Sequence, residues 1–365
     1  MIGVVRSALA LVLLGSAVAC SGGSAAERRA ASTSPATSAP SPRASASAGP
    51  SPSPGPDDQA VTPDEAREVL DGFLATDNVV RAGGADKWVL GLTRDGQRSM
   101  TIAEIHSEKS KPPVYTWAKR TVLVPRQSAR RTVQWFAATA ERRGGKGGPR
   151  TVVLTFIRIG RDGAWQNSFA SPLYKGQRPP GVRLDADGYA TALDARDTSV
   201  AISPNLMGPL HATVAEEGPQ GYASGLIAPG PQTTGFFTEI NKLKAKAKTS
   251  DCMTYESIFA SAPNYPIFAL RTADGGAMML YTLLRTSSWS LLSSGASLGL
   301  KCGEGRPVPI PAAAGWLLGK GDVLIRERRQ ITETQQYVGA VPPKASTAPA
   351  HIIGYESVVT GASNR

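Results

Sequence analysis

The stretch PVYTWAKRTVLV, residues 113–124, is where the apolar pattern of the chain changes from helical to alternating. Two similar stretches follow, TVQWFAATA at residues 132–140 and TVVLTFIRI at residues 151–159, with turn-rich segments on both sides of the second. Alternating apolar residues between turn signals are typical of antiparallel strands joined by hairpins. The sequence therefore predicts an antiparallel sheet that begins near residue 113.

Helices are predicted upstream of this sheet. Thr62 suits the N-cap position, Pro63 suits the first helical position, and Glu65 completes a capping box by reaching back to the cap. The apolar residues that follow share one helical face, and two shorter helices are expected near residues 86–92 and 97–107. Helices followed by strands favour an α+β domain over residues 61–185.

The same order returns downstream, which predicts a second α+β domain with a C-terminal extension over residues 186–365. Helices are expected from residue 203 and over 233–248, and strands in TYESIFAS, YPIFALRTADGGAMMLYTLLR and SWSLLSS, with Asp274-Gly275 as a tight turn. We interpret the halves as two copies of one unit in which helices precede a curved antiparallel sheet. Beyond residue 313, VLIRERRQI and HIIGYESVV have strand character but no evident partner.

The N-terminus predicts export. Residues 1–19 contain one basic residue, Arg6, and an apolar run about half as long as a bilayer span, as in a secretory signal peptide. Ala17-Val18-Ala19 fits an ordinary cleavage site, and together with Cys20 it also resembles the lipobox of bacterial lipoproteins, whose cysteine is acylated. Both interpretations of Cys20 stay open at this point.

The segment after Cys20 favours the lipid anchor. Residues 21–60 contain no Ile, Leu, Val, Met or aromatic residue, so they predict a disordered tether rich in Ser, Pro and Ala. Such a tether reaches about 35 Å as a coil and about 120 Å when extended. A tether of this length suits a chain fixed to a membrane at its start. We therefore expect a lipid-anchored protein on the outer face of a bacterial cytoplasmic membrane.

The remaining cysteines fit an oxidising compartment. Once Cys20 carries lipid, Cys252 and Cys302 form an even pair, and we expect one disulfide between them. On the chain-entropy model its closed loop contributes about 4 kcal/mol. The alternative is two unpaired buried thiols.

These features together resemble a known group. The lipobox, the Ser/Pro tether, the TPDEA helix start at residue 62, the VPR before a Trp-Phe strand and the TADGG hairpin are similar to actinomycete surface lipoproteins with a conserved domain of unknown function. The order of helices and sheet also resembles NTF2-like and cystatin-like domains, in which a bent sheet wraps a helix and leaves a pocket. This resemblance implies a fold and a location but no reaction.

Sequence motifs for catalysis are few. His106, His211 and His351 each stand alone, without metal-ligand spacing, and the glycine-rich segment 144–148 lacks the Lys-Ser/Thr of a phosphate-binding loop. We therefore expect no cofactor and no catalytic residue. The alternative is a hydrolase or isomerase of NTF2-like type that uses His106 with Asp86 inside a pocket.

Positive charge is concentrated in the first predicted sheet. Residues 111–161 contain twelve Lys or Arg and one acid, a net charge of +11 that equals the surplus of the whole chain. An anionic envelope polymer, a lipid or a protein is the expected partner in addition to the anchoring membrane, and nucleic acid is not expected outside the cell. The alternative is scattered solvated charge. The candidate contact residues are Arg126, Arg130, Arg131, Arg142, Arg143, Lys146 and Arg150.

Aromatic residues gather on the same sheet. Tyr115, Trp117 and Trp135 are the candidates for lining a concave pocket, and the alternative is that they belong to the core. The sequence thus predicts a non-enzymatic binding or scaffolding role in the cell envelope.

Overall fold

The computed structural model describes residues 61–107, 114–144, 148–292, 306–319 and 324–365.

Helix α1 begins at the residue that the sequence predicts. Helix α1 covers Pro63–Ala82, and the Thr62 side chain accepts a hydrogen bond from the Glu65 amide at 3.1 Å. The predicted capping box takes another form, because Oε1 of Glu65 accepts from Nη1 of Arg158 at 2.7 Å and Nε1 of Trp165 at 3.1 Å. Glu65 therefore ties the helix to the sheet.

Two more helices and a four-stranded sheet complete the first half. Helices α2 (Asp86–Gly91) and α3 (Asp95–Ser107) precede β1 (Thr116–Leu123), β2 (Val133–Arg143), β3 (Arg150–Ile159) and β4 (Gln166–Pro172). The strands pair in the order β1-β2-β3-β4, all antiparallel, as predicted for the first three. Strand β4 was not predicted, because it is buried on both faces and its sequence does not alternate.

The second half starts with two helices and a long strand. Helices α4 (Pro204–Glu217) and α5 (Thr234–Ser250) precede β5 (Met253–Ser261), β6 (Phe268–Arg271) and β7 (Ala277–Leu291). Strand β7 is long enough to pair with β6 along its first part and with β5 along the rest. The segment SWSLLSS therefore continues β7 through Leu291 and does not form the separate strand that was expected.

The C-terminal segments complete the second sheet. After the short elements β8 (Arg306–Pro307), α6 (Gly315–Leu318) and β9 (Leu324–Ile325) come β10 (Arg328–Val341) and β11 (His351–Asn364). The sheet order is β11-β10-β7-β5, with β6 also on β7, so β10 lies between β7 and β11. The two segments without an evident partner in the sequence thus pair with each other and with β7.

The two sheets share one hydrophobic cluster. Leu123, Val153 and Phe169 of the first half pack with residues of the second half such as Leu280 and Val338. The described residues belong to one compact unit, and the boundary expected between residues 185 and 186 falls in the irregular segment between β4 and α4. The α+β class with antiparallel sheets is confirmed, whereas two tandem NTF2-like or cystatin-like domains are not. None of the helices in the described ranges has the length and hydropathy needed to cross a membrane.

A candidate ligand-binding cavity between the helices and the first sheet

A cavity of about 210 Å³ lies between the three N-terminal helices and the first sheet. Its apolar wall comes from α1, α2, α3 and strands β1, β3 and β4, and its polar groups come mostly from the helices. Strand β11 of the second half contributes one carboxyl group to it. The apolar lining includes Phe73, Val89, Met100, Ile105, Tyr115, Trp117, Val152, Leu154 and Ala170. The polar lining includes Asp77, Arg81, Asp86, Thr93, Gln97, Glu104, Arg142, Asn167 and Glu356.

Two of the three predicted pocket aromatics line this cavity. The Tyr115 and Trp117 rings meet edge to face with centroids 6.1 Å apart. The Asn78 side chain of α1 holds Tyr115 in place, since its Nδ2 donates to the Tyr115 carbonyl and its Oδ1 accepts from the Tyr115 amide. Trp135 lies elsewhere, with its ring centroid 5.0 Å from that of Phe268 in the cluster between the two sheets.

A partly buried arginine, Arg81, joins two helices at the cavity wall. Nε of Arg81 donates to Asp77 at 2.8 Å, one turn earlier in α1, and Nη1 donates to Glu104 of α3 at 3.2 Å. Burial by itself lowers the pKa of Arg81, but the two carboxylates outweigh it and raise the pKa overall. The guanidinium stays charged and fixes the spacing of α1 and α3.

Glu356 places a carboxyl group of the second half at the cavity. Burial raises its pKa, while the positive charges of Arg142 and Arg150 oppose that rise. These two arginines face each other across β2 and β3. Sequence reasoning missed Glu356, because it lies in a strand whose partners could not be identified, almost 200 residues from the nearest cavity residue of the first sheet.

Two buried polar atoms at the cavity have no hydrogen-bond partner among the described residues. They are Oε1 of Gln97 and Nε1 of Trp117. Gln97 is only 7% exposed, and its Nε2 lies 3.4 Å from the Thr101 hydroxyl. Buried polar groups are nearly always hydrogen-bonded, so these two atoms leave one acceptor and one donor of the wall unsatisfied.

The predicted basic residues occupy two separate ends of the first sheet. Arg130 and Arg131 precede β2, whereas Arg142, Arg143 and Arg150 lie where β2 meets β3 at the opposite end. Eleven residues of β2 separate these ends by roughly 30 Å, several Debye lengths. The structure thus places the candidate contact residues in two groups; Lys146 lies outside the described residues.

Acidic residues from elsewhere in the chain pair with part of this charge. Arg126 donates to Asp185 at 2.6 Å and to Asp187 at 2.7 Å, and Arg120 donates to Asp71 of α1 at 2.5 Å. These pairs are exposed, so each contributes little to stability. They nevertheless reduce the positive field that the count along the sequence suggests.

The three histidines lie apart from the cavity. His106 is exposed and stacks on Trp316, with centroids 5.1 Å apart, while Asp86 lines the cavity. His211 is fully buried in the second half, and His351 is exposed at the start of β11. No group of three or more His, Cys, Asp or Glu side chains in the described part of the chain is arranged to hold a metal ion.

The predicted covalent sites fall mostly outside the described residues. Cys20 and Cys302 lie outside the described residues. Cys252 is described, lies just before β5 and is 4% exposed. The lipid anchor and the Cys252–Cys302 disulfide therefore stay predictions.

Comparisons with known proteins identify a family without an assigned function. Residues 57–364 match a family model described as "Domain of unknown function (DUF8094)". An uncharacterized lipoprotein of Streptomyces coelicolor is 28% identical over 323 residues, which cover 83% of this chain and 82% of the relative. A second one from that species is 28% identical over 151 residues, 41% of this chain and 42% of the relative. An uncharacterized lipoprotein of Streptomyces avermitilis is 24% identical over 230 residues, 61% of this chain and 65% of the relative. No solved structure matches.

Proposed function

The chain belongs to the DUF8094 family, and we propose that it is a lipid-anchored cell-surface protein whose helix–sheet cavity binds a small ligand without transforming it. The cell-surface location is supported by relatives whose names describe them as lipoproteins, and by the lipobox-like sequence that ends at Cys20. The tether of residues 21–60 would let the folded unit reach ligands about 35 Å or more from the membrane.

The observation that carries the binding role is the Gln97 side chain. A glutamine that is 7% exposed, with its Oε1 unpartnered among the described residues and its side chain at a cavity, is costly unless something donates to it. The apolar wall around Trp117 supplies the burial that a small ligand needs. At about 210 Å³ the cavity is below the usual range for drug-sized ligands, so it suits a small molecule or one end of a larger one.

The enzymatic alternative has less support. A hydrolase or isomerase needs a base and a second polar group that converge on the substrate. Of the pair that the sequence suggested, only Asp86 is at the cavity. Within the cavity, Asp77 and Glu104 both pair with Arg81, so both carboxyl groups already serve a structural contact.

Native mass spectrometry of the full chain, released from its host membrane in detergent, tests the binding role. We expect a co-purified small mass that is lost when the cavity is filled by Ala170→Leu on β4. The matched control is Ala82→Leu, an equal increase in volume at an exposed position of α1, which should retain the ligand. A bound mass that survives Ala170→Leu would place the ligand elsewhere and contradict the proposal.

A further inference from the structure

The cavity wall carries more negative than positive groups. Four carboxyl groups line it, from Asp77, Asp86, Glu104 and Glu356, against the two guanidinium groups of Arg81 and Arg142. A carboxylate or phosphate ligand would enter next to this surplus of carboxyl groups and would be repelled. The cavity lining thus has an excess of acidic groups, whereas the whole chain has a net charge of +11.

The aromatic part of the wall suits a cation. Phe73, Tyr115 and Trp117 contribute rings to one cavity, and ring faces attract cations through their quadrupoles. The protein already uses this attraction there, because the guanidinium carbon of Arg142 lies 4.6 Å from the centroid of the Tyr115 ring. Rings combined with nearby carboxylates are the usual way to recognise quaternary ammonium groups.

The two unpartnered polar atoms define the rest of the ligand. Both atoms are covered by their neighbours, so a ligand reaches them only when these side chains turn toward the cavity. Oε1 of Gln97 would then accept from an ammonium group or favour its polarised methyl groups, and Nε1 of Trp117 would donate to a hydroxyl or carbonyl oxygen. Because both side chains line one small cavity, a molecule with an ammonium group and an oxygen atom close to it would satisfy both atoms. It would also fit within about 210 Å³.

From this arrangement we infer that the ligand of the cavity is a small ammonium compound with a nearby oxygen atom, either free or as the head group of a lipid. This inference rests on the proposed binding role and names the ligand class of the same site. The cation would lie against the Trp117 and Phe73 rings and would be balanced by the exposed carboxyl group of Asp86.

Choline and its neutral isostere 3,3-dimethyl-1-butanol test the inference on the full chain in detergent, by calorimetric titration. The two probes share shape and hydroxyl group and differ in charge. We expect choline to bind at least about tenfold more tightly. Equal affinities would overturn the inference while leaving the cavity a binding site, and binding of neither probe would overturn it without bearing on the native mass spectrum.

Two matched pairs of variants locate the effect. Trp117→Leu should remove the preference for choline, whereas Trp88→Leu, at a 74% exposed position of α2, should keep it. Asp86→Asn changes an exposed residue at the cavity and should weaken choline binding about threefold, while Asp162→Asn at the far end of β3 should not. Choline affinities that are the same in the wild type, Trp117→Leu and Asp86→Asn would overturn the inference.

Vesicles distinguish the two sources of the ligand. The full chain is prepared as the Cys20→Ser variant, which lacks the residue that would carry the lipid anchor. Its co-sedimentation with phosphatidylcholine vesicles is compared with its co-sedimentation with phosphatidylglycerol vesicles. Binding to phosphatidylcholine that free choline displaces would indicate a lipid head group. Choline binding without vesicle binding would indicate a free ammonium compound. Tighter binding to phosphatidylglycerol that Trp117→Leu abolishes would contradict a cationic ligand.

Discussion

Folding lowers the affinity of the His211 ring for a proton. Its Nε2 donates to the Gln232 carbonyl at 2.7 Å, so its Nδ1 accepts from the Tyr281 hydroxyl at 2.8 Å, and the ring is fully buried. Burial lowers the pKa of His211 from 6.5 to about 4. Because the folded state binds this proton less readily than the unfolded state, stability is full above about pH 6.5 and falls as the pH drops toward 4.

We therefore predict that the free energy of unfolding decreases by about 2 kcal/mol from this residue alone between pH 7 and pH 5. Urea denaturation at the two pH values measures it. In His211→Gln the pH dependence should shrink by that amount, and in His106→Gln it should be retained. The same pH dependence in wild type and His211→Gln would show that the histidine is not buried in its neutral form.

Asp77 allows a second test at this scale. It is 7% exposed and holds Arg81, so Asp77→Asn should leave a partly buried guanidinium without one of its partners and lower the free energy of unfolding by about 2 kcal/mol. Asp64→Asn on the same helix breaks an exposed pair with Arg67 and should cost less than about 1 kcal/mol. Similar losses for both variants, measured by urea denaturation, would contradict the buried network.

Features that depend on neighbours in the sequence could be predicted, whereas features that depend on tertiary packing could not. Thr62 and Pro63 start α1 as expected, because capping depends only on residues within one turn. Tyr115 and Trp117 were identified because an alternating strand places them on one face. Gln97 and Glu356 could not be identified, since their role arises from packing between α3, β11 and the first sheet.

At the scale of elements, the junction between β4 and β11 joins the two halves. Leu173 pairs with Gly354, and the Tyr174 amide donates to the Ile353 carbonyl at 2.8 Å. Gln336 of β10 adds to the junction, because its Oε1 accepts from the Ala170 amide at 2.8 Å. Pairing over such distances in sequence leaves no periodic signal, which is why the C-terminal strands had no partner in the sequence analysis.

Gly354 tests this junction. A Cβ atom at this position would lie 2.9 Å from the Pro172 carbonyl oxygen and 3.0 Å from the side chains of Leu173 and Val338. Gly354→Ala should therefore cost about 2 kcal/mol of stability through overpacking, seen as a lower melting temperature. Gly361→Ala lies on the same strand with its nearest neighbour at 3.4 Å, and should be nearly neutral. Tolerance of alanine at Gly354 would contradict the close approach of the sheets.

At the scale of the whole molecule, the cysteines report on the compartment. A disulfide between Cys252 and Cys302 would close a loop of about 50 residues and stabilise the fold by about 4 kcal/mol. Peptide mapping of the exported chain without reductant should yield one linked peptide pair. Cys302→Ser should lower the melting temperature under oxidising conditions to the value of the reduced protein. Free thiols at both positions would contradict the prediction.

The cavity of the first half is proposed to bind a small ammonium compound, and the methyl group of Met100 reports on that binding directly. Met100 lines the cavity, whereas Met207 is equally buried in the core of the second half. In ¹³C-methyl methionine NMR spectra of the full chain, choline should shift the Met100 signal in a saturable way, 3,3-dimethyl-1-butanol should do so more weakly, and neither should shift Met207. A Met100 signal unmoved by both compounds, or moving no more than Met207, would contradict the claim.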